Sequence, residues 1–557
     1  MASPHARKLA CQIVRNQFGE LVEKVCHCLV SKGQLFLSEI SRLSEMNLSQ
    51  LRNCLLVLMQ HNCIQGFKLA NEGASFGPTR YIAIVDHILH RIRFPKFLVG
   101  VCEDFGQEAE ALVEGLLEHG RLTLEQLIQR CAAQAGKTEA EVETTLKETF
   151  ASLVRAHYIE RCPAPEPLLT LKSQDEQPKK KVSRTASRSR AAILAKIVAE
   201  TEEHRILSAA APMEAERFRV PASLAGFSTS SRDVESADII DDSAGKKRKR
   251  DALEMDSNTM NAVDEKEVLW RVNYEECIRR LRHKLCIAQV RSRLDVGAGT
   301  IIAAMLEATR SLETKSKQKV SAPLFMDGIT QAVRNTPEGR TMTMERIRGA
   351  LQQMTSESLG FISRAGEGGS FFVVNLQRII ELAQRSEVEG IVLQRYGRES
   401  CRIFRLLSMK GHLEQKQISD RALVPLKETW ELLFKLLKEE FVELQEISKA
   451  PDHAPSKTFY LWRVNLQGVL LHVLDDMYHA AANLGQRLAH ELDQEQEILG
   501  LLKQLHQSKS SGADGKATHV TLTQAQHEQV KRIRRVATVL ENSILKLDDA
   551  IMLFHDF

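Results

Sequence analysis

The chain has 557 residues, 43% hydrophobic and 27% charged, so it carries enough apolar surface to bury real cores and is not a disordered polymer. Single cores rarely grow past about 250 to 300 residues, so several domains are expected. Its 76 basic and 72 acidic residues leave a net charge of +4, which excludes a global basic field; any nucleic-acid contact has to come from local patches.

The first domain is expected at 7–90. Val22, Val25, Leu29 and Val30 recur at helical spacing, Gly33 ends that helix, and Leu35 to Leu37 form a short strand. A helix begins near Ser38, and a longer one follows over LSQLRNCLLVLMQHNCI with Leu51, Leu55, Leu58 and Met59 on one face. Phe67 to Ala70 and Arg80 to Val85, separated by NEGASFGPT, predict a β-hairpin wing. The second domain, 91–171, repeats the plan. Leu112, Leu116 and Leu117 line a helix stopped at Gly120, Leu122 to Leu124 replace the earlier LFL, Glu125 to Cys131 is the next helix, and Val142, Leu146, Phe150 and Leu153 stripe the third before YIERCPAP opens the wing. SKGQLFLSEI against EHGRLTLEQL is an internal repeat, which weighs more than either segment alone.

At 172–262 the pattern breaks into a basic, largely flexible linker. KKKVSRTASRSR and KKRKR are self-repelling runs, and the serine-rich flanks offer little to bury, although Ala191 to Arg217 has the composition of a helix. Lys246, Lys247, Arg248, Lys249 and Arg250 form a nuclear import candidate; a phosphate-binding patch or a solvated charge run are the other readings. A third domain is expected at 263–378, with helices in Tyr274 to Leu285 and Thr300 to Leu312, then APLFMDGITQAV, MERIRGALQQMT and a wing around RAGEGG. A fourth, 379–466, carries the apolar-striped CRIFRLLSMKGHLEQKQISDRALVP, a second amphipathic helix started by Pro425, and a charged hairpin ending DHAPSKTFYLWRVN. The last segment, 467–557, holds two apolar stripes at intervals of three and four on either side of SKSSGADGKATH. They predict either an antiparallel hairpin of helices or two independent bundle helices. The fold class is therefore mainly α: four tandem winged-helix domains followed by a C-terminal antiparallel coiled-coil hairpin.

Chemistry has little support in the sequence. The eleven cysteines lack zinc spacing and read as reduced, mostly buried thiols. GxxxxGK[ST] and HExxH are missing; Asp475, Asp476 and His479 read as a solvated helix face, and His453 as a turn residue. No catalytic residue, metal or cofactor is expected. The opening MASPHARKLACQIV has no apolar signal core, and no apolar run nears the roughly 20 residues of a membrane span, so a soluble intracellular protein with no membrane contact is expected.

Nucleic-acid contact has modest support, because a winged helix commonly offers its third helix to a groove and its wing to phosphate. Third-helix candidates are Arg52, Lys147, Arg155, Arg346, Arg348, Lys427, Lys435 and Lys438; wing candidates are Lys68, Arg80, Arg364, Lys449 and Lys457. The same helices carry Glu428, Glu431, Glu439 and Glu440, so a protein-facing or solvated role is equally open for each.

CRIFRLL, HLEQKQISD, LVPLKE, FVELQEI and above all KAPDHAPSKTFYLWRVN resemble the C-three subunit family of eukaryotic RNA polymerase III, related to TFIIE alpha. FGELVEKV, LMQHN, RFPK and YIERCP extend the resemblance over residues 8 to 165 and 263 to 555, leaving out the linker. The resemblance implies a non-catalytic subunit of four extended winged helices and a coiled coil. It implies a nuclear protein in a three-subunit initiation subcomplex, with two smaller subunits, the clamp of the polymerase III largest subunit and a promoter-bound initiation factor as partners. It also implies binding of single- and double-stranded DNA with little sequence preference, and help in opening promoters of small non-coding RNA genes. A free-standing winged-helix transcription factor and a protein-only winged-helix scaffold are the alternatives.

Overall fold

The computed structural model describes residues 3–70, 77–135, 139–170, 202–212, 214–221, 224, 268–313, 317–357, 359–366, 370–448, 458–502 and 523–557. The chain divides into two compact units, Ile13–Cys277 and a second built from Met1–Gln12 with Ile278–Phe557.

The Ile13–Cys277 unit takes the C-terminal end of helix α1 (Pro4–Phe18), then α2 (Glu20–Lys32), β1 (Leu35–Phe36), α3 (Leu37–Ser44) and α4 (Leu48–Gln60), closed by the hairpin β2 (Ile64–Ala70) and β3 (Arg80–Ala83). Gly33 ends α2 at φ 87, its amide donating to the Leu29 carbonyl. A left-handed backbone there suits glycine, which has no Cβ to clash. Leu51, Cys54, Leu55 and Leu58 are the buried stripe of α4, while Met59 is only half-buried.

After α5 (Val85–His90) and α6 (Phe94–Phe105) the plan recurs in α7 (Gln107–His119), β4 (Leu122–Thr123), α8 (Leu124–Ala135), α9 (Glu139–Arg155) and β5 (Ile159–Arg161). The repeat read from SKGQLFL and EHGRLTL is visible in the backbone, since Gly120 ends α7 at φ 83 as Gly33 ends α2. A Cβ on Gly120 would stand 2.0 Å from the Gln60 carbonyl oxygen, and Gln60 Nε2 donates to the His119 oxygen at 3.0 Å, so the two repeats are locked where this glycine permits contact.

Two pairings correct the expected boundaries. β6 (Leu168–Thr170) is not a wing strand of the second repeat; it runs parallel to β2 of the first, with Lys68 opposite Leu168. The second repeat's sheet is completed from beyond the linker by β7 (Leu269–Val272), giving the order β4-β7-β5. The strand expected to start the third domain thus belongs to the second. Part of the supposed linker is also ordered. Helices α10 (Glu202–Ala210) and α11 (Glu214–Arg217) form there, Ile206, Ala210 and Leu224 are buried, and Phe218 stacks on His157 with ring centroids 4.0 Å apart. Apolar residues at those positions, within otherwise polar sequence, give the segment something to bury.

Asn62, at φ 58, ties this unit together. Its carbonyl oxygen lies 3.0 Å from His87 Nδ1, and its side-chain oxygen accepts from Arg121 Nε at 2.9 Å. The His87 ring is enclosed, edge-on to Tyr274 at 5.2 Å, although the residue as a whole is half-buried. Burial first, and then the Arg271 charge, hold its imidazole down to about 3. The unfolded imidazole protonates near pH 6.5, so stability is full above that pH and is lost as the pH falls from about 6.5 toward 3. Chemical unfolding should show this unit weaker by about 1–2 kcal/mol at pH 5 than at pH 7 through this group. His87→Phe should flatten that slope.

In the other unit, α12 (Tyr274–Arg293, from Ile278 on), α13 (Val296–Thr309), β8 (Leu324–Phe325), α14 (Met326–Asn335), α15 (Met344–Met354), β9 (Ile362–Ala365) and β10 (Phe371–Val374) repeat the plan a third time. The Asp295 and Thr343 side chains cap α13 and α15, accepting from the amides of Ala298 and Arg346. The core gathers Ile301, Met305, Ile329, Ile347, Leu351 and Phe361. Sheet order is β8-β10-β9.

Helix α16 (Leu376–Lys410) breaks its helical backbone at Gly397, φ 87, and its second half begins the fourth repeat with α17 (Gln415–Ala422), α18 (Leu426–Lys438), β11 (Glu443–Ser448) and β12 (Thr458–Arg463). The short strand shrinks to one bridge, Leu413 to Trp462. Two long helices, α19 (Leu466–Gln494) and α20 (Gln524–His555), follow. Arg532 pairs with Glu495 at 2.8 Å and the His555 ring is 6.2 Å from Tyr478, so the two run in opposite directions along each other. Asp475, Asp476 and His479, expected from sequence on a solvated helix face, are half-buried to exposed and have neighbours there. His5 stacks on His479 at 4.5 Å and lies 3.8 Å from Asp475, and Asp476 pairs with Arg395 at 3.0 Å. Among the described residues no helix is long and apolar enough to cross a membrane.

Candidate nucleic-acid interface

The third repeat holds an open groove of about 570 Å³ between helix α15 and its wing. Arg348, Leu351 and Gln352 of α15 form one side, Arg364, Ser370 and Phe372 of the hairpin the other, and Phe325, Met326 and Asp327 the end where β8 turns into α14. Strand register explains the set: Arg364 lies opposite Phe372 in the β9–β10 pair, so both share one face of the wing. The Arg364 guanidinium sits over the Phe372 ring, 5.7 Å from its centroid. Arg348 is exposed, and neither arginine is in a carboxylate ion pair among the described residues. Two guanidiniums from separate elements therefore open on one concavity, whose lining also includes the Asp327 carboxylate.

The other candidates divide into paired and unpaired groups. Lys68 is bound to Glu166 at 2.5 Å, Lys147 to Glu143 at 2.5 Å one helical turn away, and Arg346 reaches Asp295 at 3.7 Å. The Lys68 ammonium, more than any other cause, holds the Glu166 carboxyl below the usual carboxylate range. Arg80 covers the Phe36 ring at 4.5 Å and donates to Gln34. Arg52 and Arg155 are exposed on α4 and α9, and Lys427, Lys435 and Lys438 are exposed on α18. Lys449, Lys457 and the run Lys246, Lys247, Arg248, Lys249 and Arg250 lie outside the described residues. The structure thus brings together Arg348 and Arg364 and gives Lys68, Arg80 and Lys147 local structural partners.

Three family models match the chain in tandem: an RNA polymerase III subunit RPC82 helix-turn-helix domain over 8–68, RNA polymerase III subunit RPC82 over 148–383, and the POLR3C C-terminal winged-helix domain over 388–464. Similar proteins include the DNA-directed RNA polymerase III subunit RPC3 of Danio rerio, 29% identical over 99% of this chain and 97% of the relative. The Homo sapiens protein of that name is 26% identical with the same coverage, and the Dictyostelium discoideum one 23% identical over 99% of this chain and 100% of its own. The chain belongs to this RPC3/RPC82 family. It is a subunit of RNA polymerase III, and RPC3 is an accessory subunit rather than the catalytic one. Among the described residues no His, Cys, Asp or Glu group is placed to hold a metal. The central RPC82 match, 148–383, runs across β5, β7 and the third repeat, in keeping with a second sheet finished only at Val272.

Sequence reasoning missed the aromatic members of these surfaces. Phe325 is 56% exposed, and on α18 Trp430 and Phe434 are 52% and 54% exposed with rings stacked 5.5 Å apart. A signal was available in both places. Phe325 precedes the second helix of its repeat just as Phe36 does, and Trp430 and Phe434 fall off the Thr429, Leu433, Leu436 stripe that α18 buries.

Proposed function

We propose that this RPC3-family chain positions DNA on RNA polymerase III through tandem winged helices, without strong sequence preference, and assists recruitment to promoters and their opening for small non-coding RNA transcription. The reading takes the chain as four extended winged helices and a C-terminal antiparallel coiled coil. Its partners would be the clamp of the largest subunit, two smaller subunits of an initiation subcomplex, and a promoter-bound initiation factor. It acts in the nucleus, with Lys246 to Arg250 as its import signal.

One observation carries the DNA contact: Arg348 from a third helix and Arg364 from the wing open on the same groove. Guanidinium contacts to phosphate supply sequence-independent affinity and release counterions. Exposed Arg52 and Arg155 would add contacts of the same kind. Arg348→Ala with Arg364→Ala should weaken duplex binding about ten-fold and lower the slope of log affinity against log salt by about 2, since each phosphate contact contributes about 0.9. An unchanged slope in the double variant removes these arginines from the interface.

A second role rests on α18. Trp430 and Phe434, with Leu426 at 53% exposure, make its outer surface more apolar than a DNA-facing helix needs, and Leu423, which ends α17, is 82% exposed. This favours a protein neighbour for the fourth repeat, with Lys427, Lys435 and Lys438 at its margin. Cross-linking mass spectrometry on the native polymerase would show protein cross-links at Lys427 and Lys435 under this reading, and protection by DNA under the other.

A further inference from the structure

We infer that the groove of the third repeat takes an unpaired nucleotide of a single-stranded nucleic acid, its base stacked on Phe325 and its phosphate held by Arg348 and Arg364. The inference rests on the nucleic-acid reading above and narrows it to one site and one form of the ligand.

The internal repeats supply the first argument. Phe36 and Phe325 occupy the same place, the last residue of a two-residue strand before the second helix. In the first repeat the position opposite Phe36 is Arg80, whose guanidinium covers the ring at 4.5 Å. In the third repeat the position opposite Phe325 is Phe371, whose ring lies 4.0 Å away. Phe371 backs Phe325 and fixes its plane, while the rest of the ring stays exposed at the mouth of the groove. A large apolar side chain held rigid yet 56% exposed is a ready stacking surface, because little ordering is needed when a second flat ring arrives.

The rest of the lining suits a nucleotide. About 570 Å³ accommodates a base with its sugar and phosphate and is far too small for a duplex. Gln352 and Ser370 offer donors and acceptors for a base edge, and Arg348 and Arg364 offer guanidiniums to a phosphate. Asp327 also lines the groove, and its carboxylate would repel a phosphate at that end, which orients the strand with phosphate toward the arginines and base toward Phe325. Duplex DNA keeps its base faces inside the stack and leaves Phe325 without a partner. An acidic peptide would satisfy the arginines but bring no flat ring to Phe325.

The test uses the full chain, with fluorescence anisotropy on a 12-nucleotide oligo-dT strand, a 12-base-pair duplex and a polyglutamate peptide. Phe325→Leu keeps an apolar side chain against Phe371 and removes the ring; Phe325→Trp keeps a ring. Phe325→Leu should weaken oligo-dT binding about ten-fold and duplex binding less than two-fold, with Phe325→Trp within two-fold of wild type on the single strand. Arg348→Gln should weaken both forms of DNA. Equal loss of single strand and duplex in Phe325→Leu, with Phe325→Trp no better, would mean that Phe325 only shapes the fold, and the inference falls while the DNA reading stands. Polyglutamate bound as tightly as oligo-dT, with Phe325→Leu silent on both, would mean that the groove selects charge alone, which also overturns it. Wild-type chain binding neither form of DNA at low salt removes the DNA reading and this inference together.

Discussion

A chain ended at residue 171 should fail to fold its second repeat, whereas the full chain holds it. The sheet of that repeat runs β4-β7-β5, so its middle strand comes from Leu269–Val272, across the whole linker. Trp270 on that strand is 1% exposed, meets Phe150 edge-to-face at 5.2 Å, and lies under the Arg161 guanidinium at 5.5 Å. Ending at 171 leaves Phe150, Leu122 and Ile159, all buried in the complete unit, without the strand that covers them, and leaves two short strands with unpaired edges. The expected result is a soluble full chain with a cooperative melt, and an N-terminal piece that binds a hydrophobic dye and melts without cooperativity. Trp270→Ala makes the same point with one residue. It empties a fully buried site and should cost about 3–5 kcal/mol in chemical unfolding. A loss below about 1 kcal/mol would mean that β7 is an accessory strand and that the second repeat folds without it.

That strand also marks what a sequence can and cannot show. Local features were legible: the glycine stops at Gly33 and Gly120, the two-residue strands after them, the buried stripes of α4 and α18, and the wing that ends at Arg463. Each is decided within about a dozen residues by helical period, backbone freedom or turn chemistry. Pairing between distant strands is not. Nothing in LWRV distinguishes a strand that opens the third repeat from one that closes the second, because so short a strand suits either sheet and loop length adds only weakly to the entropy of closure. The parallel pairing of Leu168–Thr170 with the first wing was hidden for the same reason. At the candidate interface, charge was legible and its fate was not. Arg80 and Arg364 look alike as wing cations, yet one lies over Phe36 and the other opens on a groove. Phe325 reads as a core residue until the partner across the strand pair is known.

Glu160→Ala should be among the most destabilising charge removals in the Ile13–Cys277 unit, at about 3–5 kcal/mol. Glu160 is 2% exposed on the second repeat's strand β5. One carboxylate oxygen accepts from Arg271 Nε at 2.7 Å and the other from Arg217 Nε. Arg271 also donates to Asn62 Oδ1 at 3.4 Å, and that atom is shared with Arg121, whose guanidinium burial pulls downward in pKa. Three guanidiniums thus surround a site in which Glu160 is the buried anion, Glu275 meeting Arg217 only from the rim at 3.2 Å. Removing the carboxylate leaves Arg271 and Arg217 desolvated without their main counter-charge, a larger loss than the pair gains by forming. Arg217→Met should cost less, because the Glu160 to Arg271 bond survives it. The two changes together should fall short of their sum by about 0.5–3 kcal/mol, as expected for groups in one network. The consequence reaches the segment 202–224, since Arg217 lies in α11 and fastens it to β5. Trypsin cleavage after Arg205 should accelerate in both single variants, and after Arg217 in Glu160→Ala, before the global unfolding transition. Additive energies and unchanged cleavage would mean that Ile206, Ala210 and Leu224 dock this segment by burial alone, and that Glu160 serves only the β5–β7 pair.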